Sequence, residues 1–195
     1  MVGPARFPAP ELVVDACALV RAYKCGFIER LGRLGKLHVT GQVVAEMNKG
    51  GPGQKAALRK VRVIRRSITP GTAEWEAFAT VRGGRFGVGD LGEDESIAVC
   101  LAEAGKGKRL PLMTFDHSAN RRALGFGIVT IDFLTTLSWL VRCGGYTVEE
   151  ADALELRASQ VNGWRRPKTY AGTLESIVET ACQHTTDALG KLGQR

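Results

Sequence analysis

Acidic residues at the ends of apolar runs are the side chains best suited to chemistry in this chain. Asp15 ends the run Glu11-Leu12-Val13-Val14, and Asp116 closes Leu112-Met113-Thr114-Phe115. Glu46 lies in Gln42-Val43-Val44-Ala45-Glu46-Met47, and Glu93, Asp94 and Glu95 stand consecutively ahead of Ser96-Ile97-Ala98. Carboxylates packed within a few ångströms of one another take up protons unless a cation sits among them. An all-oxygen donor set suits Mg2+ or Mn2+, hard ions that keep several of their waters. Such an ion makes a water nucleophilic and offsets the charge that develops when a phosphodiester is hydrolysed. The expected cofactor is therefore Mg2+ or Mn2+.

The overall charge has the opposite sign. Lysine and arginine number 27 against 20 acids, a net charge of +7, with an isoelectric point near 9.4. A basic surface favours polyanions, because neutralised phosphates release their condensed counterions. Acids gathered at a metal within a basic protein match the needs of nucleic-acid cleavage.

Composition removes other classes. At 44% hydrophobic and 24% charged residues the chain has ordinary globular usage and enough apolar side chains for a core. No apolar run reaches the roughly 18–20 residues of a membrane span, and the stretch from Gly127 to Val141 is broken by Asp132 and by threonines. Arg6 near two prolines, with Glu11 just before the first apolar run, does not read as a secretory signal. The expectation is a cytoplasmic protein with no membrane partner. The five cysteines are scattered, with no C-x-x-C pair, and read as small core residues rather than a zinc site or a disulfide framework.

The elements that must position these acids alternate along the chain. A strand at residues 11–14 is followed by a helical pattern from about Ala18 to Leu34, with Leu19, Tyr23, Phe27, Leu31 and Leu34 at helical spacing. Leu37 to Thr40 reads as a strand and Gln42 to Met47 as a short helix, stopped at Gly50-Gly51-Pro52-Gly53. A helix from about Gln54, a strand around Val61 to Ile64 and a helix opened by Pro70 follow. Residues 83–92 hold five glycines and read as a loop, without the spacing of a phosphate-cradling fingerprint. Then come a helix from Glu93 to about Ala104, a strand at Leu110 to Thr114, a short helix to Leu124, a strand at Gly127 to Ile131 and a helix from Phe133. From Thr147 the chain reads as a helix, the basic linker Gly163-Trp164-Arg165-Arg166-Pro167-Lys168 and a final helix to about Leu189. This alternation predicts an α/β fold with a mostly parallel sheet covered by helices on both faces. In such sheets ligands bind beyond the carboxyl ends of the strands, where Asp15 and Asp116 stand.

Each acid also has a structural role open to it. Asp15 and Asp116 are suited to cap the helices that follow them. Glu46 fits an exposed helical position. The Glu93-Asp94-Glu95 trio suits the positive end of a helix, and Asp90 with Glu93 resembles a capping box. His117 beside Asp116 is suited to touch substrate or to sit idle on the surface.

Together the motifs resemble a known family. Leu12-Val13-Val14-Asp15-Ala16-Cys17-Ala18-Leu19 resembles the opening of PIN-domain proteins, a hydrophobic strand followed by Asp, a small residue, Ser or Cys, and Ala-Leu. Val43-Val44-Ala45-Glu46-Met47 resembles their second motif, and Leu91-Gly92-Glu93-Asp94-Glu95-Ser96-Ile97-Ala98 the L-G-E-x-E-A-I-A form of the third. Leu112-Met113-Thr114-Phe115-Asp116, followed by Asn120-Arg121-Arg122-Ala123-Leu124-Gly125, resembles the fourth. The resemblance implies a PIN-like three-layer nuclease domain over residues 11–145, with a helical C-terminal extension over 146–195. It implies a Mg2+- or Mn2+-dependent endoribonuclease, VapC-like, that leaves a 5′-phosphate. Its catalytic acids would be Asp15, Glu46, Glu95 and Asp116, with Glu93 competing with Glu95 for the metal held by Asp15 and Asp116. Thr114, Asn120 and Arg121 would be the substrate-contact candidates. The partner implied is an RNA substrate, and for members that serve as toxins of toxin–antitoxin pairs, an antitoxin protein and a homodimer.

Two other phosphoryl-handling folds fit less well. A haloacid-dehalogenase-type phosphohydrolase needs a second aspartate two residues after the first, where this chain has Cys17. A receiver domain needs paired acids before its first helix and a late lysine, and neither is evident. The rival from a different class is a PIN-like module that binds RNA or protein without cutting, for which Trp164 in the basic linker offers a stacking surface.

Overall fold

The computed structural model describes residues 7–8, 11–84, 89–143, 145–162, 164–167 and 170–192. Five strands form one parallel sheet: β1 (Glu11–Val14), β2 (Lys36–Thr40), β3 (Val63–Arg66), β4 (Leu112–Met113) and β5 (Thr130–Ile131), in the order β3-β2-β1-β4-β5. The central strand shows how sequence becomes layering. Leu12, Val13 and Val14 are fully buried, as a strand covered on both faces requires. Alternate side chains point to opposite faces: Leu12 and Val14 join one apolar cluster, while Val13 joins the other with Leu112 and Ile97.

Helices supply the outer layers. The Val13 cluster takes residues from α4 (Ala73–Arg82), α5 (Leu91–Gly105) and α6 (His117–Gly125). The opposite cluster takes residues from α1 (Ala16–Cys25), α2 (Gly41–Lys49), α3 (Pro52–Lys60), α7 (Phe133–Arg142), α8 (Val148–Asn162) and α9 (Leu174–Leu192). The C-terminal extension shares this core: Ala151, Leu154 and Ala158 of α8 and Leu174, Val178 and Cys182 of α9 are buried in it. All five cysteines are free, with Cys25, Cys100 and Cys182 buried. Among the described residues no helix is long and apolar enough to cross a membrane.

Several boundaries differ from the sequence reading, each for a local reason. The helical pattern toward Leu34 is two pieces: α1 ends where Gly26 turns left-handed at φ 85°, and a 3-10 turn over Ile28–Arg33 follows. Pro52 lies inside α3 at its first turn, so the helix starts before Gln54. Pro70 does not open α4, which starts at Ala73 with the Thr72 hydroxyl capping the Trp75 amide at 3.3 Å. Asp90 forms no capping box: it has φ 59° and makes no side-chain cap bond. Of the glycine-rich loop, residues 85–88 lie outside the described residues, and Gly92 belongs to α5.

The order β3-β2-β1-β4-β5 means that strand addition reverses direction between β1 and β4. At such a switch point the following connections run to opposite sides and open a crevice beyond the carboxyl ends of the two strands.

Candidate active site

Asp15 follows β1 directly and is fully buried. Its Oδ1 accepts a 2.7 Å hydrogen bond from the Ala18 amide and so caps α1. Its Oδ2 is buried too, and has no hydrogen-bond partner among the described residues. An unpartnered carboxylate oxygen inside a protein is costly unless it is protonated or meets a cation. Burial first, with Asp116 and Glu46 adding to it, raises the Asp15 carboxyl to about 6 against the pull of the Thr114 side chain and the Ala18 amide. The Thr114 side chain is near but makes no well-formed hydrogen bond to Oδ2.

Asp116 lies just beyond β4 and caps α6, its Oδ1 accepting from the Ser118 and Ala119 amides at 2.7 and 2.9 Å. Thr114, buried, accepts the Asp116 amide on its hydroxyl at 3.2 Å and so fixes the turn between strand and helix. Both caps predicted from sequence are thus made, and each uses a single carboxylate oxygen.

Glu93 comes from the first turn of α5. Burial first, then Asp116 and Asp15, raise its carboxyl to about 7 against the opposing charge of Arg122. Arg122 Nη2 lies 3.0 Å from Glu93 Oε2. Glu46, half-buried on α2, takes a 3.3 Å hydrogen bond from Gln42 Nε2. Gly92 permits its approach: a Cβ at Gly92 would stand 2.7 Å from Glu46 Oε1. Cys17 lies among these acids, and burial with Asp15, Asp116 and Glu93 pushes its thiol up to about 12, which keeps it a neutral thiol.

Glu95 faces another way. Its Oε2 accepts the Gln42 amide at 3.2 Å and so serves the N-terminus of α2. Asp94, fully buried, lies 3.0 Å from both Arg82 and Arg122 and has a structural role between them. The structure therefore gathers Asp15, Glu46, Glu93 and Asp116, and turns Asp94 and Glu95 toward neighbouring elements.

Two clefts open beside the cluster. One, of about 400 Å³, is lined by Cys17, Glu46, Gly92 and Glu93. The other, of about 260 Å³, runs from Thr114, Asp116 and Asn120 to Trp164, Arg165 and Pro167. Asn120 accepts the Thr130 hydroxyl at 2.6 Å, His117 is exposed at the cleft wall, and Arg121 is exposed on α6.

Compared with protein-family models, with curated proteins and with solved structures, the chain matches none.

Among the described residues no three His, Cys, Asp or Glu groups form a ready-made metal cage. Mg2+ is commonly bound through one or two carboxylates with its remaining positions kept by water. The unpartnered Asp15 Oδ2, with Asp116 near enough to raise the proton affinity of both Asp15 and Glu93, fits that mode.

Sequence reasoning missed the support around this cluster. Nothing in the spacing joins Arg82, Asp94 and Arg122, which meet only through folding. Gly92 carried a signal, since a glycine inside a helix implies a close approach, and the linker carried one in Trp164 and Arg165.

Proposed function

We propose that this chain is a PIN-like, metal-dependent endoribonuclease whose acids are Asp15, Asp116, Glu93 and Glu46. The observation that carries the reading is the buried, unpartnered Oδ2 of Asp15 at the sheet's switch point, in a field of three further carboxylates. Asp15, Asp116 and Glu93 would hold the ion, with Glu46 at the wall of the adjoining cleft. A bound Mg2+ or Mn2+ supplies Lewis acidity for in-line displacement at phosphorus. The caps on α1 and α6 hold Asp15 and Asp116 in fixed rotamers, so their free oxygens need no reordering to serve. In the reaction a water oxygen bonds to phosphorus as the bond to the 3′-oxygen breaks, leaving a 5′-phosphate and a 3′-hydroxyl. The water's proton passes to a carboxylate of the cluster, and the leaving oxygen takes one from solvent. The net charge of +7 supports a polyanionic substrate.

The test is incubation of the purified protein with labelled structured RNA and matched single-stranded DNA, in Mn2+, in Mg2+ and in EDTA. Asp15→Asn and Asp116→Asn run alongside, since asparagine keeps either cap. Metal-dependent cleavage of RNA, lost in both variants, is the expected result. RNA binding without cleavage under any metal would replace the enzyme with a binding module.

A further inference from the structure

The described residues of the linker between α8 and α9 are fastened at several points. Trp164 packs edge-on against Phe133, ring centroids 5.0 Å apart. Arg166 forms a paired interaction with both carboxylate oxygens of Glu155 and also donates to the Gly172 carbonyl. Tyr170 donates to Asp132 Oδ2 at 2.9 Å, and Asp132 in turn caps α7. Arg165, between two anchored neighbours, is exposed and has no ion-pair partner among the described residues. It lines the 260 Å³ cleft together with Asp116 and Asn120. An acidic cluster alone repels a phosphate chain, so a strand seated beside it needs a cation held nearby. Arginine suits that task, since its planar fork matches phosphate oxygens. Asn120 gives its carbonyl oxygen to Thr130, which leaves its amide N–H groups available as donors in the same cleft.

We propose that this cleft is a nucleotide subsite of the substrate strand: Arg165 binds the phosphate next to the one at Asp116, and the sugar and base lie between Asn120 and Trp164. The inference rests on the nuclease reading above and adds the strand's path across the C-terminal extension. The full chain is used for the test, with a fluorescein-labelled single-stranded RNA whose binding is followed by anisotropy in EDTA across a salt series, and whose cleavage is followed in Mn2+. Arg165→Gln, Arg165→Lys and the control Arg59→Gln, an exposed arginine on α3 outside the cleft, are compared with the parent protein. Arg165→Gln is expected to raise Kd and KM roughly five- to tenfold, leave kcat within about twofold and reduce the salt slope by about one. Arg165→Lys should restore the salt slope and only part of the affinity, since it keeps the charge and loses the fork, and Arg59→Gln should bind as the parent does. Equal Kd and salt slope for Arg165→Gln and the parent would overturn the subsite, and Mn2+-dependent cleavage in the same samples would leave the nuclease reading standing. RNA binding that depends on Arg165, with no cleavage under any metal, would keep the phosphate contact and overturn the nuclease reading. A parent protein that neither binds nor cuts RNA overturns both.

Discussion

Arg122 forms a 3.0 Å ion pair with Glu93, joining α6 to α5 beside the acidic cluster. The same guanidinium nitrogen lies 3.0 Å from Asp94, which is fully buried and also 3.0 Å from Arg82. Removing one partner of a buried charge leaves the other uncompensated, at a cost of several kcal/mol. Because Arg82 remains on Asp94, Arg122→Gln is expected to cost about 2–3 kcal/mol, read as a lower urea midpoint. Adding Asp94→Asn should recover part of the loss. A midpoint equal to the parent's would show that Arg122 does not hold this joint.

The acids also set a pH dependence with the reverse of the usual sign. Asp15 is raised to about 6 and Glu93 to about 7, so the folded chain keeps protons that the unfolded chain has released. Stability without metal then falls as pH rises from about 4 to 7, and the whole penalty is present above that window. For fully buried Asp15 the penalty is on the order of 3 kcal/mol, an upper figure corresponding to several degrees of Tm. In EDTA the Tm should therefore drop between pH 5 and pH 8, and Mn2+ should restore more at pH 8 than at pH 5. Asp15→Asn keeps the cap and removes the charge, so its metal-free Tm at pH 8 should exceed the parent's. Buried His38, held below its ordinary value, works in the opposite direction but is common to both proteins. A Tm difference between parent and variant that stays unchanged over this range, or a variant less stable at pH 8, would therefore contradict the assignment.

The two acids at strand ends were legible as candidates because an apolar run marks where a parallel strand stops, and the switch-point geometry does the rest. Asp15 and Asp116 follow from that alone. The third acid did not follow. Glu93 and Glu95 are two residues apart, hence roughly 200° around a helix, and face opposite sides. Choosing between them requires knowing which side of α5 meets the sheet, and its apolar pattern does not tell, because Gly92, Asp94, Ser96 and the four residues after it are all buried. The alternating elements were legible as well, yet β4 and β5 are two-residue strands where the apolar runs suggested five. The flanking residues Pro111, Thr114 and Val129 make only the backbone hydrogen bonds that end the ladder, and the apolar run goes on past it.

Gly92 offers a test that separates site from stability. Alanine is favoured over glycine by about 1 kcal/mol in a helix interior and by less at Gly92, the second residue of α5, but its Cβ would stand 2.7 Å from Glu46 Oε1. The far end of Glu46 is flexible and can move away, so folding survives while the carboxylate is displaced. Gly92→Ala should keep or raise the Tm and lower Mn2+-dependent cleavage about tenfold or more. Full activity in a stable variant would remove Glu46 from the site.

The two glutamates of α5 can be told apart by their amide substitutions. Glu95 accepts the Gln42 amide, a bond that a glutamine oxygen makes equally well. Glu95→Gln should therefore keep the start of α2 intact and leave cleavage within a few fold of the parent. Glu93 is the one whose carboxyl responds to both Asp15 and Asp116. Glu93→Gln removes one negative charge from the cluster, so Mn2+ should bind at least tenfold more weakly by calorimetry and cleavage should fall by two orders of magnitude or more. The charge removed is also one that Asp15 and Asp116 repel, so the metal-free Tm at pH 8 should rise, which an unfolding variant would not show. The opposite ranking, with Glu95→Gln inactive and Glu93→Gln active, would make Glu95 the third acid and remove Glu93 from the site.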